Sequence, residues 1–262
     1  MKKWTEITGG LLNRAWDTLM TAFGDRADEV VEKINKEPGV ADRVAALILN
    51  NGYELTTSQA RAKEIMGKNF LGVEEGMKLF GIQLSKRQLA YMSEIPFSEA
   101  TLAASKDTHI LVAVMPLSIV QIRSYTAAMK LPKGQKSFFY KQDWYDGQAF
   151  ANEVGQLEWR LVRKTPVGDS TSKTWQQQQE LLDSKIEETP TAQVMVYTII
   201  GHFLNTGERL FEKVYVRTSS LDSGGSHVDV GEFDADGLYV DSYWDDGVDG
   251  PLGVVSSRKS ES

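Results

Sequence analysis

The chain has 262 residues, 41% of them hydrophobic and 25% charged, the proportions of a folded globular protein long enough for one large domain or two ordinary ones. Its formal charge of -7 argues against a generally basic binder of nucleic acid or membrane surface. The absence of cysteine excludes a disulfide framework, a thiolate zinc site and a cysteine nucleophile. No apolar run reaches the length of a membrane span. The opening Met1-Lys2-Lys3-Trp4 carries two positive charges, but Glu6, Asn13, Arg14 and Asp17 stand where a secretory leader needs an apolar core. The expectation is a cytoplasmic protein, or one displayed on a surface by a route the chain does not spell out.

The first hundred residues read as short helices. Trp4, Leu11, Leu12, Ala15, Trp16, Leu19, Met20 and Phe23 recur at helical spacing over 1–23, and Pro38-Gly39 breaks the pattern. Val40, Val44, Leu47 and Ile48 define one face of a second helix over 40–49. Thr56-x-x-Gln59 has the form of a capping box opening a helix that ends near Gly67. A short helix over 74–80 is stopped by Gly81, and Ser85-x-x-Gln88 opens another. Near residue 105 the texture changes. The apolar run 109–115 reads as a buried strand, with a helix over 117–129 after it. Glu158–Arg163 alternates as a half-buried strand, and 174–182 and 191–204 are two helices, the second stopped by Gly207. These patterns predict an α+β protein with its domain boundary near 100–106: a helical region over 1–104, then a second domain over 105–259.

The segment 213–258 differs from everything before it. It holds eight Asp, seven Ser, seven Gly and eight Val, and its three basic residues face nine acidic ones, almost the whole negative excess of the chain. Gly, Ser and Asp alone would favour solvated coil. The apolar residues argue otherwise. Val228-Asp-Val230 and Leu238-Tyr-Val240 are spaced by two, which turns the apolar members to one side of a strand and the polar ones to the other. Each buried Val, Leu or Phe contributes roughly 1.5–3 kcal/mol, enough to hold short strands and tight turns.

The order of strand Glu158–Arg163, Pro166-Val167, Thr174-Trp175 with a helix, Thr191-Ala192 with a second helix, Gly207 and Tyr215-Val216-Arg217 resembles the formylglycine-generating-enzyme type of C-type lectin fold. The closing pattern Val228-x-Val-Gly-x-Phe233, Gly237-Leu-x-Val240, Trp244-Asp-Asp and Leu252-Gly-Val-Val-Ser-Ser-Arg-Lys259 is similar to the variable region of diversity-generating-retroelement target proteins. In that family a reverse transcriptase rewrites adenines of the C-terminal coding segment, and an unchanged lectin-like scaffold presents the altered side chains. The resemblance covers about 105–259. It implies a displayed, ligand-binding set of Ser226, His227, Asp229, Tyr239, Asp241, Ser242, Tyr243, Gly247, Asp249, Gly250 and Pro251, with Asp234 and Asp236 as weaker candidates. It implies scaffold roles for Val228, Val230, Phe233, Gly237, Leu238, Val240, Trp244, Leu252, Gly253 and Arg258. Asp, Ser, Gly, Tyr, His and Pro can each arise by changing adenines of an Asn codon, and Asn is absent from 206–262. Tyr239 and Tyr243 have a physical reason of their own to matter, because tyrosine offers large contact area and a polar tip at low entropy cost.

Other signals are weaker. Asp234-x-Asp236-Gly with Asp245-Asp-x-x-Asp249 invites calcium, but the spacing is not that of an EF-hand loop, and turn-forming or displayed aspartates explain it. Ser256-Ser257 with His202 or His227 can be drawn as a triad, yet no Gly-x-Ser-x-Gly elbow supports it. Residues 56–92 carry Arg61, Lys63, Lys68, Lys78, Lys86 and Arg87 against Glu64, Glu74 and Glu75, so a helix-turn-helix is a third reading. His109 and His202 read as core or rim residues, and Trp144, Trp159 and Trp175 as core packing. The expected function is non-catalytic recognition of a macromolecular ligand, a protein in the first instance, with no cofactor, no metal and no nucleic acid; oligomeric state is not legible. The alternatives are an enzyme of unknown reaction on the same fold and a DNA-binding regulator.

Overall fold

The computed structural model describes residues 9–36 and 56–261. The chain divides into two compact units at 54/55. In the first, α1 (Gly9–Phe23) and α2 (Ala27–Lys36) are separated by a single 3-10 turn at Gly24–Arg26. Arg26 and Lys33 both pair with Glu29 along α2. The helix expected over 40–49 lies outside the described residues.

The second unit runs from residue 55 onward. Its elements, in chain order, begin with β1 (Thr57–Ser58), α3 (Gln59–Met66), β2 (Phe70–Leu71), α4 (Val73–Phe80), α5 (Lys86–Tyr91) and β3 (Glu94–Ile95). Then come α6 (Glu99–Ser105), β4 (His109–Val114), α7 (Ile119–Ala127), α8 (Ala149–Asn152), β5 (Glu158–Arg163), α9 (Trp175–Gln179) and β6 (Glu187–Glu188). The chain ends with α10 (Ala192–Thr206), β7 (Tyr215–Leu221), β8 (His227–Asp234), β9 (Gly237–Tyr243), β10 (Leu252–Val254) and β11 (Ser257–Arg258). The fold is therefore mixed α and β. Among the described residues no helix is long and apolar enough to cross a membrane.

The expected boundary at 104/105 is not where the units part. Phe70 and Leu71 of β2 pair in parallel with Leu111 and Val112 of β4, so residues on both sides of 105 build one sheet and share one core. Sequence texture changes there because buried strands replace short helices, not because packing stops. Capping signals are mostly read correctly. Ser85 and Gln88 form a reciprocal capping box, as do Thr174 and Gln177, while Thr191 caps α10 and Gly207 closes it in a left-handed conformation. Thr56 is the exception. Ser58 caps α3 by accepting from the Arg61 amide, and the neighbouring Thr57 is drawn into β1, where its hydroxyl donates to Phe97 O at 2.7 Å.

Two sheets carry the unit. The first has the order β2-β4-β5-β11-β6, and the second β10-β7-β8-β9. Helix α10 packs against strands of both. Every residue from Ala192 to Phe203 is buried, so the helix is mostly apolar, and its buried Gln193 and Thr198 donate to Leu117 O and Val194 O. Residues 252–258 tie the sheets together: β10 pairs in parallel with β7, and β11, which begins three positions after β10 ends, sits between β5 and β6.

In the second sheet Val216, Val228, Val230, Leu238 and Val240 are fully buried. Their period of two fixes the register, since a slip by one residue would put all of them into water. The β9 edge is covered by the segment 136–144: Tyr140 N donates to Leu238 O, Leu238 N to Phe138 O, and Trp144 Nε1 to Val240 O, at 2.9–3.0 Å. Covering the edge removes the unpaired donors and acceptors that promote aggregation. This approach requires glycine at 237, where φ is +118° and an added Cβ would overlap the backbone of Phe139 and Tyr140. Gly237→Ala should therefore lower stability by about 2–4 kcal/mol, whereas Gly250→Ala, with open space around it, should stay within about 0.5 kcal/mol of wild type. Denaturant unfolding of the two variants checks this.

Candidate functional site

The pleat that buries the valines turns Tyr215, Arg217, His227, Asp229, Gly231, Tyr239, Asp241 and Tyr243 the other way; past Gly231 the register of β8 shifts and Phe233 returns to the core. The register aligns them in rows: Tyr215, Gly231 and Tyr239 form one, Arg217, Asp229 and Asp241 the next, and His227 faces Tyr243 in the third. Five of the eleven sequence-predicted positions, His227, Asp229, Tyr239, Asp241 and Tyr243, thus share one face. Of the other six, Ser242 lies opposite Val228 on the valine side, and the remaining five lie in the turn and the loop that join these strands. Ser226 closes the β7–β8 turn, where its amide donates to Asp222 Oδ1, and Ser242 donates its hydroxyl to Asp222 Oδ2 at 2.7 Å. Gly247, Asp249, Gly250 and Pro251 lie in the loop joining β9 to β10. Asp241, Asp249 and Gly250 are exposed, and Tyr239 and Tyr243 half-buried.

Asp229 departs from expectation. It points to the outward face yet is only 4% exposed. The cause is the roof over its row, built around Arg217, whose side chain is fully buried. Arg217 Nη1 donates to Lys173 O and Gln178 Oε1, and Nη2 donates to Trp244 O and Gly247 O, all at 2.8–3.1 Å. Gln178 in turn donates to Ser170 O and Leu252 O. The guanidinium therefore clamps the start of α9 and the β9–β10 loop onto the sheet. Sequence reading missed this role. Its one signal was a lone arginine at an outward position of a valine-bearing strand.

Trp244 is the second correction. Its even number and apolar side chain predicted a place in the core, but it is 75% exposed. Strand β9 ends at Tyr243, the alternation ends with it, and the fold uses Trp244 through its carbonyl, which accepts from Arg217 and from the Gly247 amide. Trp175, expected in the core, instead lies half-buried at the edge of the face, its ring stacked on His227 with centroids 3.7 Å apart. His227 Nδ1 sits 2.6 Å from Asp245 Oδ1. At the opposite corner Tyr140 stacks on Tyr239 at 3.9 Å, and beside Tyr140 a cleft of about 660 Å³ opens, with Arg123, Lys136 and Phe139 among its walls. Of the three tryptophans read as core, Trp159 is buried and Trp144 partly so.

The alternative chemistries find little geometry. Asp234 and Asp236 sit at the turn end of the β8–β9 hairpin, and Asp245 is at the other end beside His227, so the two groups do not converge. No cluster of three or more His, Asp or Glu side chains that could hold a metal occurs among the described residues. Ser256 donates to Glu187 Oε1 on the other sheet, rather than to His202 or His227. His202 is buried beside Glu208, and His109, held down to about 4 by burial first and then by Arg163 and Arg258, is an uncharged rim residue. Within 56–92, Arg61 pairs with Glu64 and Glu99, Lys63 with Glu75, and Lys68 with Glu208; strand β2 intervenes between α3 and α4. Compared with known protein families, with curated proteins and with solved structures, the chain matches none.

The Asp229 carboxyl is pushed up to about 8, by burial first and then by Asp241 and Asp249, against the opposing pull of Arg217. In the unfolded chain an aspartate titrates near ~3.9. The folded state therefore holds the proton more tightly, and the stability linked to it is present below about pH 4 and lost as pH rises through about 8. Asp229→Asn removes this titration. Its melting temperature should equal that of wild type near pH ~4 and exceed it by several degrees near pH ~9. Identical melting curves at both pH values would show a solvated carboxyl.

Proposed function

We propose that the unit from residue 55 onward is a C-type-lectin-like domain of the formylglycine-generating-enzyme type, and that its outward β7–β9 face with the β9–β10 loop recognises a macromolecular ligand, a protein, without making or breaking bonds. The family reading, a diversity-generating-retroelement target whose C-terminal segment is rewritten, rests on the sequence patterns around Val228, Gly237, Trp244 and Leu252. One observation carries the functional reading: Tyr239, Asp241 and Tyr243 lie opposite the buried valines and reach solvent, with His227 and the roofed Asp229 on the same face, so the identities of the three are uncoupled from the register of the sheet. A broad polar face bearing tyrosines suits a protein partner better than an enclosed small molecule. Exposed Trp244 and Val248 add apolar contact area beside it.

The reading makes a demand on stability. The exposed Asp241, Trp244, Val248 and Asp249 changed together to small polar residues should leave a cooperative unfolding transition with a melting temperature within a few degrees of wild type, since exposed substitutions cost little. Randomising the same positions and selecting on immobilised proteins should yield specific binders. Collapse of the fold in most library members would defeat the proposal. In the surrounding DNA, the family reading calls for a reverse-transcriptase gene and a near-copy of codons 217–258 differing at adenines.

A further inference from the structure

We propose that the outward face seats a cationic side chain of its protein partner, an arginine or lysine, against the carboxylates of Asp229 and Asp241. The inference rests on the ligand-binding reading above and adds the chemistry of what is bound. Asp229 and Asp241 are register partners on adjacent strands, and Val228 and Val230 on either side of Asp229 are buried inward, so the Asp229 carboxylate points to the outward face. More than nine-tenths of Asp229 is buried, yet no hydrogen bond or ion pair reaches its carboxylate among the described residues. Polar groups buried this far are nearly always paired. Arg217, its register partner on β7, attracts it but forms no hydrogen bond or ion pair with it: both Nη atoms are committed to carbonyl and amide oxygens of the roof, and the buried Nε has no partner. The remaining charges that bear on Asp229 are the carboxylates of Asp241 and Asp249. A buried acid with two acidic neighbours and no ion pair to the one nearby guanidinium keeps its proton; a cation arriving from the partner supplies the paired counter-charge, and the proton leaves to solvent as Asp229 ionises.

The surroundings select an organic cation. Tyr239 and Tyr243 lie two residues to either side of Asp241 on the same face, and aromatic rings attract guanidinium and ammonium groups through their faces. A divalent metal needs six or more oxygens or a compact ligand set, and no such set is found among the described residues. Exposed Trp244 and Val248, in the loop that follows Tyr243, offer apolar surface to the methylene stem of a long basic side chain.

The test uses the full chain and four probes: acetyl-arginine amide, acetyl-lysine amide, the neutral acetyl-citrulline amide and calcium chloride, each followed by chemical-shift changes of backbone amides. The two cationic amides should bind saturably, on the order of millimolar, with the largest shifts at Asp229, Asp241 and Tyr243. Citrulline amide should leave these positions unmoved. Asp229→Asn and, separately, Asp241→Asn should each weaken the arginine probe by about tenfold while the remaining spectrum stays that of the folded protein. Equal shifts with citrulline amide, arginine binding that both variants retain, or calcium occupying the same residues in place of the amides would each overturn the inference. If the randomised face still yields protein binders while the arginine probe fails, recognition stands and the cationic ligand falls.

Discussion

A guanidinium withdrawn from water needs oxygen acceptors inside the protein, and Arg217 finds them for both Nη groups, its Nε staying unpartnered, in a way that fastens α9 and the β9–β10 loop to the second sheet. Its four hydrogen bonds reach three backbone carbonyls and one side-chain amide, drawn from the start of α9 and the β9–β10 loop. Loss of such partners would leave buried donors unsatisfied at roughly 1–3 kcal/mol each. The loop is therefore bound to a central strand by its main chain, and its side chains are left free of that duty. Gln178 extends the same arrangement to Ser170 and Leu252, so α9, the 166–172 turn and β10 are held by one connected polar network.

The second sheet separates two tasks that proteins usually mix. Inward valines, leucine and the covered β9 edge determine register and stability, while the outward side chains contribute little to either. Two outward residues break this division: Arg217, which holds the roof, and Asp229. The position of Asp229 beneath the roof makes its ionisation costly, and such a cost is retained most readily where a group has a part to play beyond the fold.

Much of the local structure is written in the residues themselves. Ser85 with Gln88, Thr174 with Gln177, Thr191 and Gly207 announce their helix ends because capping is a property of a few neighbouring residues. The strand Glu158–Arg163 is legible to the residue from its alternation, and the period-two valines reveal which side chains of β8 and β9 share the outward face. Thr56 was misread because Thr57 and Ser58 offer equivalent hydroxyls, and only the pairing of β1 with β3 selects between them.

What tertiary structure alone decided lies wherever distant segments meet. The amino-acid order identified the polar set of the face, but not that Arg217 would be buried, Asp229 roofed over, or Trp244 turned outward. Nor did it place the division of the chain at 54/55, because the pairing of β2 with β4 joins segments that differ in texture. Periodicity and capping are consequences of backbone geometry over a few residues, so sequence carries them directly. Burial of a charge depends on which loops fold across a strand from 27 to 44 positions away, and no local pattern encodes that.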